Sequence, residues 1–303
     1  MFSSALVGVI LAVGGVLGAA VPAASLDACK ARDDRTAQVA RCTEVIRSGA
    51  YRGTDLAVAY YNRGRAREVL GDRDSAIRDY DAAVQTDPGL AAVYLYRGAA
   101  YARRGDLALA AADFTRALEI DPYIAQAYYS RARANWALGM HARAIEDCDR
   151  TLRLEPGNAA AYFLRGMNQY RLEQYPAAVE SFGQAIRFDP GHARAYNERA
   201  WILYQLGRYA EALADARQAI THLPGAAPAI DTHAHVLAAL GRRDEALAEF
   251  ERAIDAGGTS FVRMYQRALA AHGHFDGEVD GVYGPAVRGA LSACIAAGCR
   301  LLP

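Results

Sequence analysis

Residues 91–124 read AAVYLYRGAAYARRGDLALAAADFTRALEIDPYI, and the same layout returns on both sides of them every 34 residues. One series is small: Gly64, Gly98, Ala132, Gly166, Ala200 and Ala234. A second is alanine throughout: Ala76, Ala110, Ala144, Ala178, Ala212 and Ala246. A third is Pro88, Pro122, Pro156, Pro190 and Pro224, and Tyr60, Tyr94, Tyr128, Tyr162 and Tyr196 stand four places before the small residue. Series that share one register define a repeated unit, here a pair of helices. A small residue inside the first helix lets the second approach closely, and the matching alanine receives it. Gly71, Gly105, Gly139, Gly207 and Gly241 fall where the first helix has to stop, the place for a left-handed cap. Each proline ends the second helix and opens the next unit. Tyr80, Phe114, Phe182 and Phe250 fill the space between helices, with Cys148 and Ala216 in the same slot. Cys148 therefore reads as a buried hydrophobe and not as a nucleophile.

These positions closely resemble the tetratricopeptide repeat, over about two thirds of the chain. The resemblance implies an all-α fold, a right-handed α-solenoid of six helix-turn-helix repeats. Their bounds are 57–90, 91–124, 125–158, 159–192, 193–226 and 227–260. Tyrosine stands at the first aromatic place, where the family commonly has tryptophan. The sixth repeat departs most, with Ile230 for the aromatic and Gly258 for the proline, as a terminal capping repeat does. Upstream, Val39, Cys42, Val45 and Ile46 match a second helix, which makes 26–56 an incomplete N-terminal cap. Cys29 falls on the preceding helix. A Cys29–Cys42 bond would staple the cap, with an entropic gain of about 3 kcal/mol at most.

The chain of 303 residues carries 34 basic and 34 acidic side chains, so no net field favours nucleic acid or anionic lipid. A hydrophobic content of 52% with 22% charged residues excludes a disordered chain. Ahead of Asp27, the first charged side chain, residues 5–21 are apolar and run into Pro22-Ala23-Ala24. Residues 1–23 read as a secretory signal, with Val21 and Ala23 in the −3 and −1 places. An apolar run of ~17 residues also meets the lower limit for a retained anchoring helix, the one route by which this chain would engage a membrane. Both readings put the remainder in the periplasm or cell envelope. Cysteine usage agrees: Cys29 with Cys42 and Cys294 with Cys299 form close pairs, the pattern of short disulfides in an oxidising compartment.

Arg63, Arg97, Arg131, Arg165 and Arg199 precede the small residue, where the family commonly has leucine, and Asp79, Asp113, Asp147, Asp215 and Glu249 recur on the second helix. They are expected to pair as a structural ladder. The resemblance further implies that the stacked repeats curl and that the first helices line a concave groove for a protein or peptide partner. The register puts Tyr61, Arg65, Tyr96, Arg103, Tyr129, Arg133 and Trp136 on that face, followed by Phe163, Met167, Tyr170, Arg171, Trp201 and Tyr204. Aromatic faces with interspersed guanidiniums suit an extended peptide or its carboxylates. The same aromatics have a packing role open to them, between adjacent first helices.

His233 and His235, two apart on one helix, point to different sides, and His272 and His274 flank Gly273 at a helix end. Neither pair is read as a metal site, and no cofactor is expected. No nucleophile–base, paired-carboxylate or phosphate-loop signature stands outside the repeats, so the chain reads as non-catalytic. After Gly257-Gly258 the period breaks, and residues 261–303 read as helix, glycine-rich loop, helix. Gln266, Leu269, Gly273, the Asp280-Gly281-x-Tyr283-Gly284 run and Ala290-Leu291 resemble the small helical peptidoglycan-binding domain of bacterial cell-wall proteins. That resemblance implies glycan-binding candidates at Gln266, Asp280, Gly281 and Tyr283. Cys294-Ile295 stands where that family has Phe-Gln, and a Cys294–Cys299 bond is expected to tie the tail where the aromatic is missing. The leading functional reading is a non-catalytic envelope scaffold with a peptide groove. The alternative is a cell-wall accessory that binds peptidoglycan through its tail and localises a wall enzyme.

Overall fold

The computed structural model describes residues 25–299 and residue 301; the export segment read at residues 1–23 lies outside them. The described residues form 15 α-helices and no strand, as the all-α reading expects, and fall into two compact units that divide between Tyr96 and Arg97. Among the described residues no helix is long and apolar enough to cross a membrane.

In the first unit, α1 (Leu26–Lys30) and α2 (Arg35–Ser48) precede the pair α3 (Gly53–Val69) and α4 (Arg73–Thr86). Ser25 and Asp34 begin α1 and α2 by accepting from the backbone amides of the first turn. Cys29 and Cys42 are bonded, with Cα atoms 4.6 Å apart, and join Val45 and Ala59 in a closed core. Gln38 is buried beside them and its amide donates to the Cys29 carbonyl at 3.0 Å.

The helix α5 (Ala91–Arg104) spans the division between the units. The second unit continues with α6 (Leu107–Ile120), α7 (Ala125–Ala137), α8 (His141–Leu154), α9 (Ala159–Arg171) and α10 (Tyr175–Phe188). It ends with α11 (Ala193–Gln205), α12 (Tyr209–His222), α13 (Ala227–Ala239), α14 (Arg243–Ala271) and α15 (Pro285–Ala297). From α6 to α15 consecutive helices pack, and successive first helices touch as well, α7 on α9 and α11 on α13. The reversal inside each pair needs a left-handed residue, supplied by Gly105, Gly139, Gly207 and Gly241 at φ between 74° and 95°. In the fourth repeat Glu173 takes that conformation, at φ 59°.

The small residue in the first helix is dictated by what faces it sixteen residues later. A Cβ on Gly64 would lie 2.8 Å from Tyr80 Cε1, on Gly98 2.9 Å from Phe114 Cε1, and on Gly166 2.8 Å from Phe182 Cε1. Where the facing residue is Cys148 or Ala216, the first helix carries Ala132 or Ala200 instead. Close packing makes the two volumes complementary within each of these repeats. In the sixth repeat Ala234 faces Phe250, whose ring meets His235 and Tyr265 edge-on at 4.9 and 5.6 Å.

The arginine ladder forms beside this contact. Arg63 pairs with Asp79, Arg97 with Asp113, Arg131 with Asp147 and Arg199 with Asp215, at 2.6–2.7 Å, onto carboxylates at most 9% exposed. Four of the five arginines of the series lie over the tyrosine three residues earlier: Arg63 on Tyr60, Arg131 on Tyr128, Arg165 on Tyr162 and Arg199 on Tyr196. The hydrogen bonds to Asp215 hold the Arg199 guanidinium protonated beyond its ordinary range. A remaining guanidinium nitrogen reaches the preceding second helix: Arg131 donates to Thr115 and Arg165 to Asp149, each at 2.9 Å. The ladder thus ties successive pairs together as well as the two helices of one pair. Two rungs differ. Ser181 replaces the aspartate opposite Arg165, and His233 stands 3.7 Å from Glu249 with both ring nitrogens buried and without a hydrogen bond.

At the end of the sixth repeat the chain bends within α14 at Gly258, where φ 63° and ψ −156° are open to glycine alone. Beyond the bend, Val262, Tyr265 and Leu269 join Val287, Leu291, Cys294, Ile295 and Leu301 in one cluster with Leu237, Phe250 and Ile254. The tail helices therefore share a core with the sixth repeat. Tyr265 Oη donates to the buried Asp231 carboxylate across this seam. Desolvation raises the pKa of Asp231 above the ordinary carboxylate range and that of Tyr265 above the ordinary phenol range.

Two substitutions test these contacts by urea unfolding. Gly98→Ala is expected to cost about 1–3 kcal/mol through overpacking, and Phe114→Leu in the same chain to restore most of it. Arg131→Met leaves the Asp147 carboxylate, 6% exposed, without its cation and with only the Asn135 amide donating to it at 3.2 Å, and is expected to cost about 3 kcal/mol. An unchanged midpoint in either single variant would refute the corresponding contact.

Candidate functional site

The site residues read from the register fall in both units. In the first, the Arg65 guanidinium lies 4.3 Å from the Tyr96 ring centre and 5.8 Å from that of Tyr61. The two rings meet edge to face at 5.5 Å. Burial pushes the Tyr61 hydroxyl up to about 12. Arg65, Tyr61 and Tyr96 form one cation–π cluster on α3 and the start of α5.

In the second unit a cavity of about 700 Å³ opens across α5, α6, α7 and α9 and the start of α11. Arg103, Tyr129, Arg133, Trp136, Phe163 and Met167 all line it. Tyr129 and Phe163 occupy one repeat position on α7 and α9, as do Arg133 and Met167, so the cavity wall has the 34-residue spacing of the sequence. Phe163 is braced by Phe182 at 5.5 Å and stacks on His192 at 4.8 Å, with the Arg194 guanidinium 5.2 Å from its centre. Trp136 is 42% exposed, and burial raises the Tyr129 hydroxyl above its ordinary range. No Asp or Glu lines the cavity, whereas three arginines do. Such a surface stacks flat groups and donates hydrogen bonds to anionic ones.

Gln126, His192 and Arg194 also line the cavity and were not singled out from the sequence. His192 begins α11, its Nδ1 accepting from the Ala195 amide at 3.2 Å. Gln126, Ala160 and Arg194 share one repeat position, and that register is the signal by which they could be found. Four of the read residues lie elsewhere. Tyr170 Oη accepts from Trp201 Nε1 at 3.3 Å and from Gln205 Nε2 at 3.4 Å. Trp201 stacks on Tyr204 at 5.4 Å, and Tyr204 is buried against Tyr209. Trp201 and Tyr204 pack together outside the cavity, and Arg171 is exposed outside it as well.

In the tail, Gln266 is 1% exposed and holds the turn from within. Its Nε2 donates to Asp280 Oδ1 at 2.7 Å, and its Oε1 accepts from the Gly281 amide at 2.8 Å. The Gln266 bond, with one from the Val282 amide, holds the Asp280 carboxyl below its ordinary range. Gly281 sits at φ 81°, where a Cβ would strike Thr259 at 2.5 Å. Tyr283 Oη donates to Glu251 at 2.8 Å, and Arg288 Nε donates to the same carboxylate at 2.6 Å. The four glycan-binding candidates thus come together, with Gln266 and Asp280 spent on shaping the loop and Tyr283 on docking it to α14.

Helix pairs of constant length, closed by a small residue against a bulky one and opening a cavity across their first helices, define a helical-repeat binding protein. Family models described as tetratricopeptide repeat match residues 61–123, 163–228 and 125–158, more than half of the chain. The chain belongs to the tetratricopeptide repeat family. It is similar to the crystal structure of MamA, with 26% identity over 52% of this chain and 93% of that one at a TM-score of 0.52. It is similar in fold to YrrB, described as a TPR protein with an unusual peptide-binding site, with 24% identity over 58% and 91% at 0.52. The C-terminal part of a TPR repeat-containing protein from Cytophaga hutchinsonii matches at 17% identity over 73% and 90%, with a TM-score of 0.59. No match was found among curated proteins.

Proposed function

We propose that this chain is a non-catalytic interaction scaffold that takes an acidic peptide segment of a partner protein into the cavity of its second unit. The observation that carries the reading is the lining: Arg133 and Arg194 among Tyr129, Trp136 and Phe163, with no Asp or Glu among the lining residues. Peptide binding by YrrB, a protein of the same fold, supports it. The apolar stretch at residues 5–21 and the paired cysteines support placing the scaffold in the periplasm or cell envelope.

A second reading keeps a glycan role for the tail, and the convergence of Gln266, Asp280 and Gly281 in one clamped turn supports it. The shared core rules out removing the tail as a clean test, because the sixth repeat would lose its cover. Val282, 62% exposed on that turn, offers a milder probe. Retention of the full chain on insoluble peptidoglycan should disappear in Val282→Asp, and equal retention of both would end this reading.

Trp136 and Trp201 are the two tryptophans, and Trp136 lies in the cavity, so indole emission reports occupancy. Titration with an Asp/Glu-rich peptide is expected to change that emission saturably. Arg133→Ala with Arg194→Ala should weaken binding at least about tenfold, as the loss of charge-assisted hydrogen bonds requires. A Gln/Asn version of the peptide should weaken it similarly. Equal affinity in both comparisons would overturn the acidic-peptide reading.

A further inference from the structure

Two helix ends meet in the tail, and they bring three metal-binding side chains to one point. At the end of α14 the Gly273 amide donates to the Ala270 carbonyl at 3.0 Å and the His274 amide to that of Leu269 at 2.9 Å. At the end of α15 the Gly298 amide donates to the Ile295 carbonyl at 3.2 Å and the Cys299 amide to that of Cys294 at 3.0 Å. Both are the paired reversed bonds that fold the second residue past a helix back onto its last turn. In α15 this fold places Cys299 on Cys294, and the two are bonded with Cα atoms 5.2 Å apart. In α14 it presents His274 to them. A ring nitrogen of His274 and the two sulfurs all lie within 4.8 Å of one another.

We propose that His274, Cys294 and Cys299 form a binding site for a d¹⁰ cation of the zinc class, closed while the Cys294–Cys299 bond is intact and opened when a dithiol reduces it. One imidazole and two thiolates are a zinc donor set, and they leave a fourth position open. Donors around a tetrahedral zinc lie roughly 3.5–4 Å apart, a separation that side-chain rotation reaches from the present one. The two thiolates neutralise the dication, which suits a site whose sulfurs belong to an apolar cluster. The carbonyl ends of α14 and α15 both direct partial negative charge toward it.

Access separates this disulfide from the other one. Cys29 and Cys42 are fully buried, whereas Cys299 is half-buried. The tail bond also spans five residues against thirteen, so opening it releases less chain entropy. The exchange balances: the dithiol gives two electrons and two protons to the disulfide and becomes a disulfide itself. The cation then displaces both thiol protons to solvent, and neutral His274 donates a ring lone pair. Cys148 does not compete, because burial pushes its thiol far up and keeps it protonated.

The test uses the full chain, reduced with dithiothreitol, freed of it without oxygen, and titrated with Co²⁺ as the zinc probe. One equivalent is expected to give a thiolate-to-cobalt charge-transfer band, which Zn²⁺ abolishes and the oxidised chain never shows. Alkylation read residue by residue should show Cys294 and Cys299 protected together by Zn²⁺. His274→Ala should weaken Co²⁺ binding at least about tenfold. The proposal falls if Zn²⁺ protects neither tail cysteine, or if His274→Ala binds Co²⁺ as the unaltered chain does. Per-residue alkylation keeps both outcomes distinct from metal held at Cys29 and Cys42.

Discussion

The contact between a small residue in each first helix and a bulky one sixteen residues later is the constraint from which the other features follow. Gly98 leaves no room for a Cβ against Phe114, and Gly64 and Gly166 leave none against Tyr80 and Phe182. Helices held this close carry their neighbouring positions into contact. Arg97 immediately precedes Gly98, and Asp113 immediately precedes Phe114, so the approach that seats the ring also seats the ion pair at 2.7 Å. The tyrosine four places before the small residue then lies beneath the guanidinium in the repeats of Arg63, Arg131, Arg165 and Arg199. One steric relation therefore explains the glycine, arginine and tyrosine series together. With its partner in place such a pair adds little to stability, but its geometry admits only one register of the second helix.

Much of this was legible because a 34-residue period assigns each residue to a position before any coordinates exist. The ladder, the buried Cys148 and six of the cavity residues follow from that assignment. The period does not reveal what covers a position in the next repeat. Trp136, Tyr170 and Tyr204 share one position, yet Trp136 is 42% exposed and Tyr204 8%. The difference comes from outside α11: Tyr209 and His235 close over Tyr204 with ring centres 5.9 and 6.0 Å away. Arg194 escaped notice for the converse reason. It sits at the start of α11, and the cavity extends to it from α7 and α9, a reach set by stacking and not by any one helix face.

The tail shows where periodicity runs out. Its residues suggest a separate small module after Gly257-Gly258, but its helices and the sixth repeat bury one common cluster. Asp231 illustrates the adjustment. It occupies the position that holds Tyr129 and Phe163 in the cavity, and there a carboxylate would be costly to bury. Tyr265, 34 residues further on, meets it with a hydroxyl donor, so the polar side chain is satisfied across the seam. Read alone, Asp231 is a departure from the pattern; beside Tyr265 it is the point at which the pattern is sealed.

Net charge conceals a partition of the arginines that matters for binding. The 34 cations and 34 anions cancel over the chain, which argues against a strong overall field. Along the ladder the cancellation is local, with carboxylates of the second helices meeting the arginines at 2.6–2.7 Å. Arg194 instead lies over the Phe163 ring, and Arg133 lines the same cavity. Arginine paired to a buried carboxylate is lost to recognition, whereas arginine laid on an aromatic face keeps its donors. On the proposed reading, a chain neutral overall thereby presents arginines at the one cavity where a partner segment would be taken up.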